Sequence, residues 1–218
     1  MVASVLGRLT GARARLLPPP ASGGAMRVLL VSYEYPPLGG GGAKVVRGLA
    51  AELVRAGHQV DVITTGWGAL PAESSDEGVR VTRLRTLRMR EDRSTVLELG
   101  VWVVRALPAV LRRLANERYD AINAHFILPD GLICALACTL FGKGFVVTAH
   151  GSDVPGYNGD RFQLAHRLLN RVWRQLVRSP ACIVFPSEHL LKLARRQDVP
   201  FKACVIPNGF DAGLRSAK

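Results

Sequence analysis

The sequence predicts an α/β chain, a doubly wound, Rossmann-like parallel sheet with helices on both faces. Three observations predict it. Short apolar runs alternate with stretches of helical periodicity from residue 27 to residue 206, the order that builds a parallel sheet with crossover helices. The first run, residues 27–32, is rich in Val and Leu without alternation, as in a strand buried on both faces. Polar or glycine-rich segments fall at strand exits, where such sheets bind ligands.

Residues 26–53 organise the rest. The strand at 27–32 is ended by Pro36 and Pro37, and Gly39, Gly40, Gly41 and Gly42 follow. From Ala43 onward Val46, Leu49, Ala50, Leu53 and Val54 recur at helical spacing on one face. Glycines let the backbone approach another molecule closely, and amides that open a helix suit phosphate or another oxyanion. Lys44 stands where GxGxxG would carry its third glycine, and no GK[ST] follows, so neither the dinucleotide nor the Walker fingerprint is present. A tight turn is the other use of such a run. Without a bound anion the amides of residues 39–42 are expected to lack partners and the loop to be mobile.

The chain then continues in order. Gly57 closes the first helix. Residues 59–64 form the second strand, 66–78 a polar loop, and 79–84 an alternating, half-exposed strand. Arg80, Arg83, Arg85, Arg88, Arg90 and Arg93 lie close together. They read either as a solvated face or as a basic edge for phosphate head groups or a phosphorylated acceptor. Residues 96–114 make the longest helix, interrupted by Glu98 and Arg105 and expected to kink at Pro108. Its apolar spans fall short of the ~20 residues a membrane crossing needs. Strands at 121–124, 145–149, 181–185 and 203–206 alternate with helices at 130–141, 161–177 and 187–196.

With 218 residues, the chain suffices for one large α/β domain or a cramped pair. At 48% hydrophobic and 21% charged residues it is globular. Its 29 Lys and Arg against 17 Asp and Glu give a net charge of +12, which attracts anions: phosphorylated substrates, an acidic membrane face or nucleic acid. Aromatics are only 6% and no nucleic-acid-reading motif occurs, so no nucleic-acid partner is expected. Cys134, Cys138, Cys182 and Cys204 form neither CxxC nor a Cys/His cluster. They predict no metal site and read as buried thiols of a reducing, cytoplasmic compartment. Residues 1–25, with three arginines and three consecutive prolines, read as a disordered leader whose apolar stretch is too interrupted for a signal peptide. Residues 26–206 are the expected folded domain and 207–218 a hinge.

His150 is the main candidate for chemistry. It leaves a buried strand beside Gly151, Ser152 and Asp153, a rim position where an imidazole can meet a ligand. Asp153 is expected to orient that imidazole or to bind a sugar hydroxyl. A serine triad is excluded, because Ser152 and Asp153 crowd the histidine in sequence and no GxSxG occurs. His125, at the exit of the strand at 121–124, is either a second ligand contact or a hydrogen-bonding rim residue. His58, His166 and His189 read as turn or surface residues.

Four stretches in order, PPLGGGGAKVVRGLAAELVRAGHQVDVIT from Pro36, YDAINAH from Tyr119, VTAHGSD from Val147 and VIPNGFD from Val205, resemble the N-terminal domain of family-4 glycosyltransferases of the GT-B fold. The resemblance covers residues 26–211. It implies transfer of a sugar from a nucleotide sugar to an acceptor with retention of anomeric configuration and no further cofactor. It implies that Gly39–Gly42 face the transferring sugar and diphosphate, that His150 contacts the sugar near the reacting carbon, and that this domain supplies most of the acceptor surface. Asn208 falls in PNGxD, which in the family marks the crossing to a second, nucleotide-binding domain. That domain's basic residues and paired glutamates have no counterpart in the sequence. The resemblance therefore implies half of a split or truncated enzyme, inactive without a separate second domain. A cytoplasmic protein, peripheral on the anionic inner face of a membrane, is the expected setting. Two alternatives stay open: a non-catalytic module binding carbohydrate or lipid phosphate, and a nucleotide-cofactor oxidoreductase. The latter requires an acid closing the second strand, where Thr64 and Thr65 stand instead.

Overall fold

The computed structural model describes residues 24–157 and 163–209, the side chains of 163–167 excepted. The leader at 1–25, save its last two residues, and most of the hinge at 207–218 lie outside the described residues. Eight strands form one sheet in the order β3-β4-β2-β1-β5-β6-β7-β8. They are β1 (Arg27–Val31), β2 (Gln59–Gly66), β3 (Glu73–Asp76), β4 (Val79–Arg85), β5 (Ala121–His125), β6 (Val146–Thr148), β7 (Cys182–Phe185) and β8 (Ala203–Val205). Every pairing is parallel except β3 with β4. The helices are α1 (Gly41–Arg55), α2 (Val96–Asn116), α3 (Asp130–Leu140), α4 (Gln163–Leu176) and α5 (Glu188–Arg195).

The strand order turns around between β1 and β5, the switch point beyond which ligands settle in open α/β sheets. Strand β1 is buried on both faces, as its unbroken apolar run requires. Val28 and Leu30 pack with Val46 and Ala50 of α1, whereas Leu29 and Val31 belong to the larger core with Trp102 of α2 and Ile133 of α3. Burial of this kind removes roughly 25 cal/mol per Å² of apolar surface from water and fixes which strand ends share a rim.

Two expectations are corrected. The segment read as a polar loop contains β3, a short antiparallel edge strand in register Asp76↔Val79 with β4; its sequence ESSD has neither apolar alternation nor β-branched residues to announce a strand. The basic run from Arg80 to Arg93 is not one solvated face: Arg83 and Arg88 are buried, Arg80 is half-buried, and Arg85, Arg90 and Arg93 stay exposed. Arg80 binds Asp61 and Glu117. Buried Arg83 donates to Ser74 and Pro36 O. Buried Arg88 donates to Tyr33 O, Thr65 Oγ1, Arg90 O and Glu91 O. Arg90 and Arg93 flank Asp92. Helix α2 is opened by a capping box of Thr95 and Glu98 and runs unbroken through Pro108, which lies on its exposed face.

Candidate functional site

At the switch point the carboxyl ends of β1, β5 and β6 surround an open cleft of about 470 Å³, with Glu34, Gly40, Gly41, Gly42, His150 and Asn208 in its wall. The glycine run divides into two pairs. Gly39 has φ +99°, and a Cβ on it would lie 2.7 Å from the Glu34 side chain. A Cβ on Gly42 would lie 2.7 Å from Phe126 Cζ. These two are small because protein packs against them. Gly40 and Gly41 have nothing within 4 Å of the missing Cβ and are the ones that leave room for a ligand.

The expectation that the loop's amides lack partners is corrected for Gly39 and Gly40. Gly39 N donates to Glu91 O at 2.7 Å and Gly40 N to Glu34 Oε2 at 3.1 Å. Glu34 is thus an internal anion at the opening of α1, where the helix amides favour negative charge. Burial raises its carboxyl above the usual range, against the lowering effect of the Gly40 amide.

His150 and His125 are brought together from adjacent strand ends, with His125 Nδ1 3.0 Å from His150 Nε2. His125 is fully buried behind His150, which reaches the cleft wall. Burial lowers His150 to about 4 and drives His125 well below the ordinary imidazole value, the latter helped by the neighbouring ring. The Phe126 ring lies tilted 4.4 Å from His150 and 4.6 Å from Tyr33, and Phe126 holds a left-handed φ of 82°, a strained backbone at the cleft wall.

Asp153 does not face the cleft. It is buried beneath the loop, where Oδ1 accepts from His150 N at 3.0 Å and Gly151 N at 2.9 Å, and Oδ2 from Ile127 N at 2.7 Å. Of the two roles expected of it, orienting the imidazole takes the form of a clamp on the backbone that carries His150. Burial raises its carboxyl in spite of those three amides. Gly151 has φ +104°, and a Cβ there would collide with the Tyr157 ring at 2.7 Å, so Tyr157 comes to the cleft only because residue 151 is glycine.

Sequence reasoning missed Glu34, Phe126 and Tyr157. Glu34 had a signal, an acid at the exit of the first buried strand just before Pro36. Phe126 and Tyr157 had none, since an aromatic beside a strand end reads equally well as core. Among the described residues no group of three or more His, Cys, Asp or Glu is placed to hold a metal ion.

Known proteins resemble this chain in sequence and in fold. The profile of Glycosyltransferase Family 4 matches residues 39–214. An uncharacterized glycosyltransferase of Methanocaldococcus jannaschii is 37% identical over 101 residues, 46% of this chain and 25% of that protein. In fold, the chain is similar to sucrose-phosphate synthase from Thermosynechococcus elongatus, with TM-score 0.73, 19% identity, 87% of this chain and 49% of that one covered. UDP-N-acetylglucosamine 2-epimerase from Rickettsia bellii follows with TM-score 0.52, 10% identity, and 85% and 45% covered. The chain thus spans about a quarter of the first relative and half of that synthase.

Proposed function

From the premise that this chain belongs to glycosyltransferase family 4, we propose that its cleft is the acceptor-side half of a retaining glycosyl-transfer site. A nucleotide sugar lies over Gly40 and Gly41, His150 contacts the sugar, and Asn208 borders the cleft opposite. A second domain, facing the cleft, holds the nucleotide and neutralises the leaving diphosphate, so that the domain alone binds but does not turn over. The observation that carries this reading is the open space over Gly40 and Gly41 in a wall shared with His150. Glu34 already occupies the Gly40 amide, which predicts that the diphosphate is held chiefly from the other domain and that this wall meets the sugar. Asp153 acts through the His150 backbone as a positioning residue. Calorimetry with nucleotide sugars tests the reading. Heat on binding is expected, lost in Gly41→Leu and weakened in His150→Ala. Binding by Gly41→Leu as tight as by the parent chain would overturn it.

A separate observation favours a peripheral, cytoplasmic setting, on a surface other than the arginine run. At about 100° per residue, the outer face of α2 carries Leu97, Val101, Val104 and Pro108, with Arg105 and Arg112 along one flank and no exposed acid, Glu98 being buried in the helix cap. Leu97 is 69% and Val104 72% exposed. An apolar stripe with a basic border suits the surface of an anionic bilayer. Among the described residues no helix is long and apolar enough to cross a membrane. Sedimentation with vesicles is expected to show salt-sensitive binding to anionic lipid that Val104→Asp abolishes. Equal binding to neutral and anionic vesicles would count against it.

A further inference from the structure

The hydrogen bond between His125 Nδ1 and His150 Nε2 contains a single N–H, and the ring that supplies it decides what His150 offers the cleft. Burial keeps both rings neutral, so two arrangements are available. In one, His125 donates from Nδ1 and its Nε2 is bare. His150 then accepts at Nε2 and carries its own proton on Nδ1. In the other, His150 donates from Nε2, and His125 accepts at Nδ1 and carries its proton on Nε2.

The two differ at one isolated atom. His125 Nε2 is buried and has no hydrogen-bond partner among the described residues. The second arrangement would orphan an N–H donor there, whereas the first leaves only a lone pair. Orphaned buried N–H groups are rarer in native structures than under-satisfied acceptors. We propose that His125 is a positioning residue that fixes His150 as its Nδ1–H tautomer, so that the cleft meets a hydrogen-bond donor at this position rather than a base. The neighbours hold the ring in place for that role: the His125 ring stacks 5.3 Å away, Phe126 lies 4.4 Å away, and Asp153 accepts from the His150 amide. For the glycosyl-transfer reading, on which this consequence rests, a fixed Nδ1–H suits a sugar oxygen. His150 then does not take the proton of an acceptor hydroxyl, which must leave by another route.

Nitrogen-15 spectroscopy of the 218-residue chain reads the tautomer without substrate or activity, with His150→Gln assigning the resonances. In the parent chain, Nδ1 of both rings is expected at the position of a protonated nitrogen and Nε2 of both at that of a bare one. His125→Asn keeps an amide donor near the Nδ1 position and is expected to preserve the Nδ1–H form of His150. His125→Leu removes the donor and is expected to release His150 toward the Nε2–H form that free imidazole favours. A protonated His150 Nε2 in the parent chain overturns the proposal. So does an unchanged Nδ1–H form in folded His125→Leu, and if that variant does not fold, the parent and His125→Asn spectra decide. Absence of nucleotide-sugar binding would remove the consequence for transfer and leave the tautomer standing.

Discussion

At the amino ends of the strands, Asp61 of β2 accepts from Arg27, Arg80 and Tyr119, and Glu117 ties Arg27, Arg80 and Arg113 into the same network. At the carboxyl ends of the same sheet, Glu34, His150 and Asp153 are held without a salt bridge among the described residues. The consequences for ionisation are opposite. Burial alone would raise Asp61 and Glu117, but the Arg80 hydrogen bond leads the partners that pull both below the usual carboxylate range. At the other end burial prevails, raising Glu34 and Asp153 and lowering His150. Charges paired with charges serve folding. Ionisable groups buried without a salt-bridge partner run against local stability, which is where a functional site is expected.

The largest effect that would break this contrast is at the paired end. Asp61→Ala leaves two arginines and the Tyr119 hydroxyl without their common acceptor. Breaking such a buried pair costs about 3–5 kcal/mol, and partial exposure of Arg27 and Arg80 puts the expected loss near the lower figure. Urea denaturation measures it, with nucleotide-sugar binding unchanged. A loss below about 1 kcal/mol would show that the network is ornamental.

Next comes the pH dependence of the unpaired end. His150 falls from 6.5 in the unfolded chain to about 4 in the fold. Its neutral, buried form therefore contributes stability that is complete above pH 6.5 and drains away as pH falls toward 4. That shift corresponds to at most about 3 kcal/mol. Glu34 and Asp153, being raised, act in the opposite sense, favouring the fold as pH falls, so the informative quantity is the difference between the parent chain and His150→Gln. The difference is expected to change between pH 6.5 and 4 and to be flat above. A flat difference throughout would mean that the His150 ring is not desolvated.

The smallest effect separates the two glycine pairs. Gly42→Ala forces a methyl against Phe126 and is expected to cost about 1–3 kcal/mol. Gly41→Ala enters open space at the start of α1 and is expected to be neutral, or stabilising by up to about 1 kcal/mol. Urea midpoints of the two variants compare them directly. Equal midpoints would erase the distinction between glycines packed against protein and glycines bordering open space.

Much of the fold was legible because its signals are local. The unbroken Val and Leu run of β1, the helical spacing after Ala43 and the alternation of β4 each report the period of their own backbone. β3 was not legible, because its stability comes from pairing with β4 rather than from its own residues. Of the residues singled out for the site, the tertiary structure gathers Gly40, Gly41, Gly42, His150 and Asn208 at one cleft. It places Gly39 against Glu34, His125 behind His150 and Asp153 beneath the loop. Composition misled at the arginines, since net charge counts Arg83 and Arg88 without revealing that both are buried and bonded inside.

The amino-acid sequence by itself determined the order of strands and helices, and with it the rim on which the glycine run and the two histidines emerge, because hydrophobic period and turn residues act over a few positions. Only the tertiary structure decided which glycines pack against protein and which border open space, that Asp153 clamps a backbone, and that His125 meets His150 across 25 positions of chain. Those outcomes depend on the β5–β6 register, which sets His125 opposite Thr148, two residues before His150. Register is chosen by packing across the whole sheet, and no stretch of sequence carries that information alone.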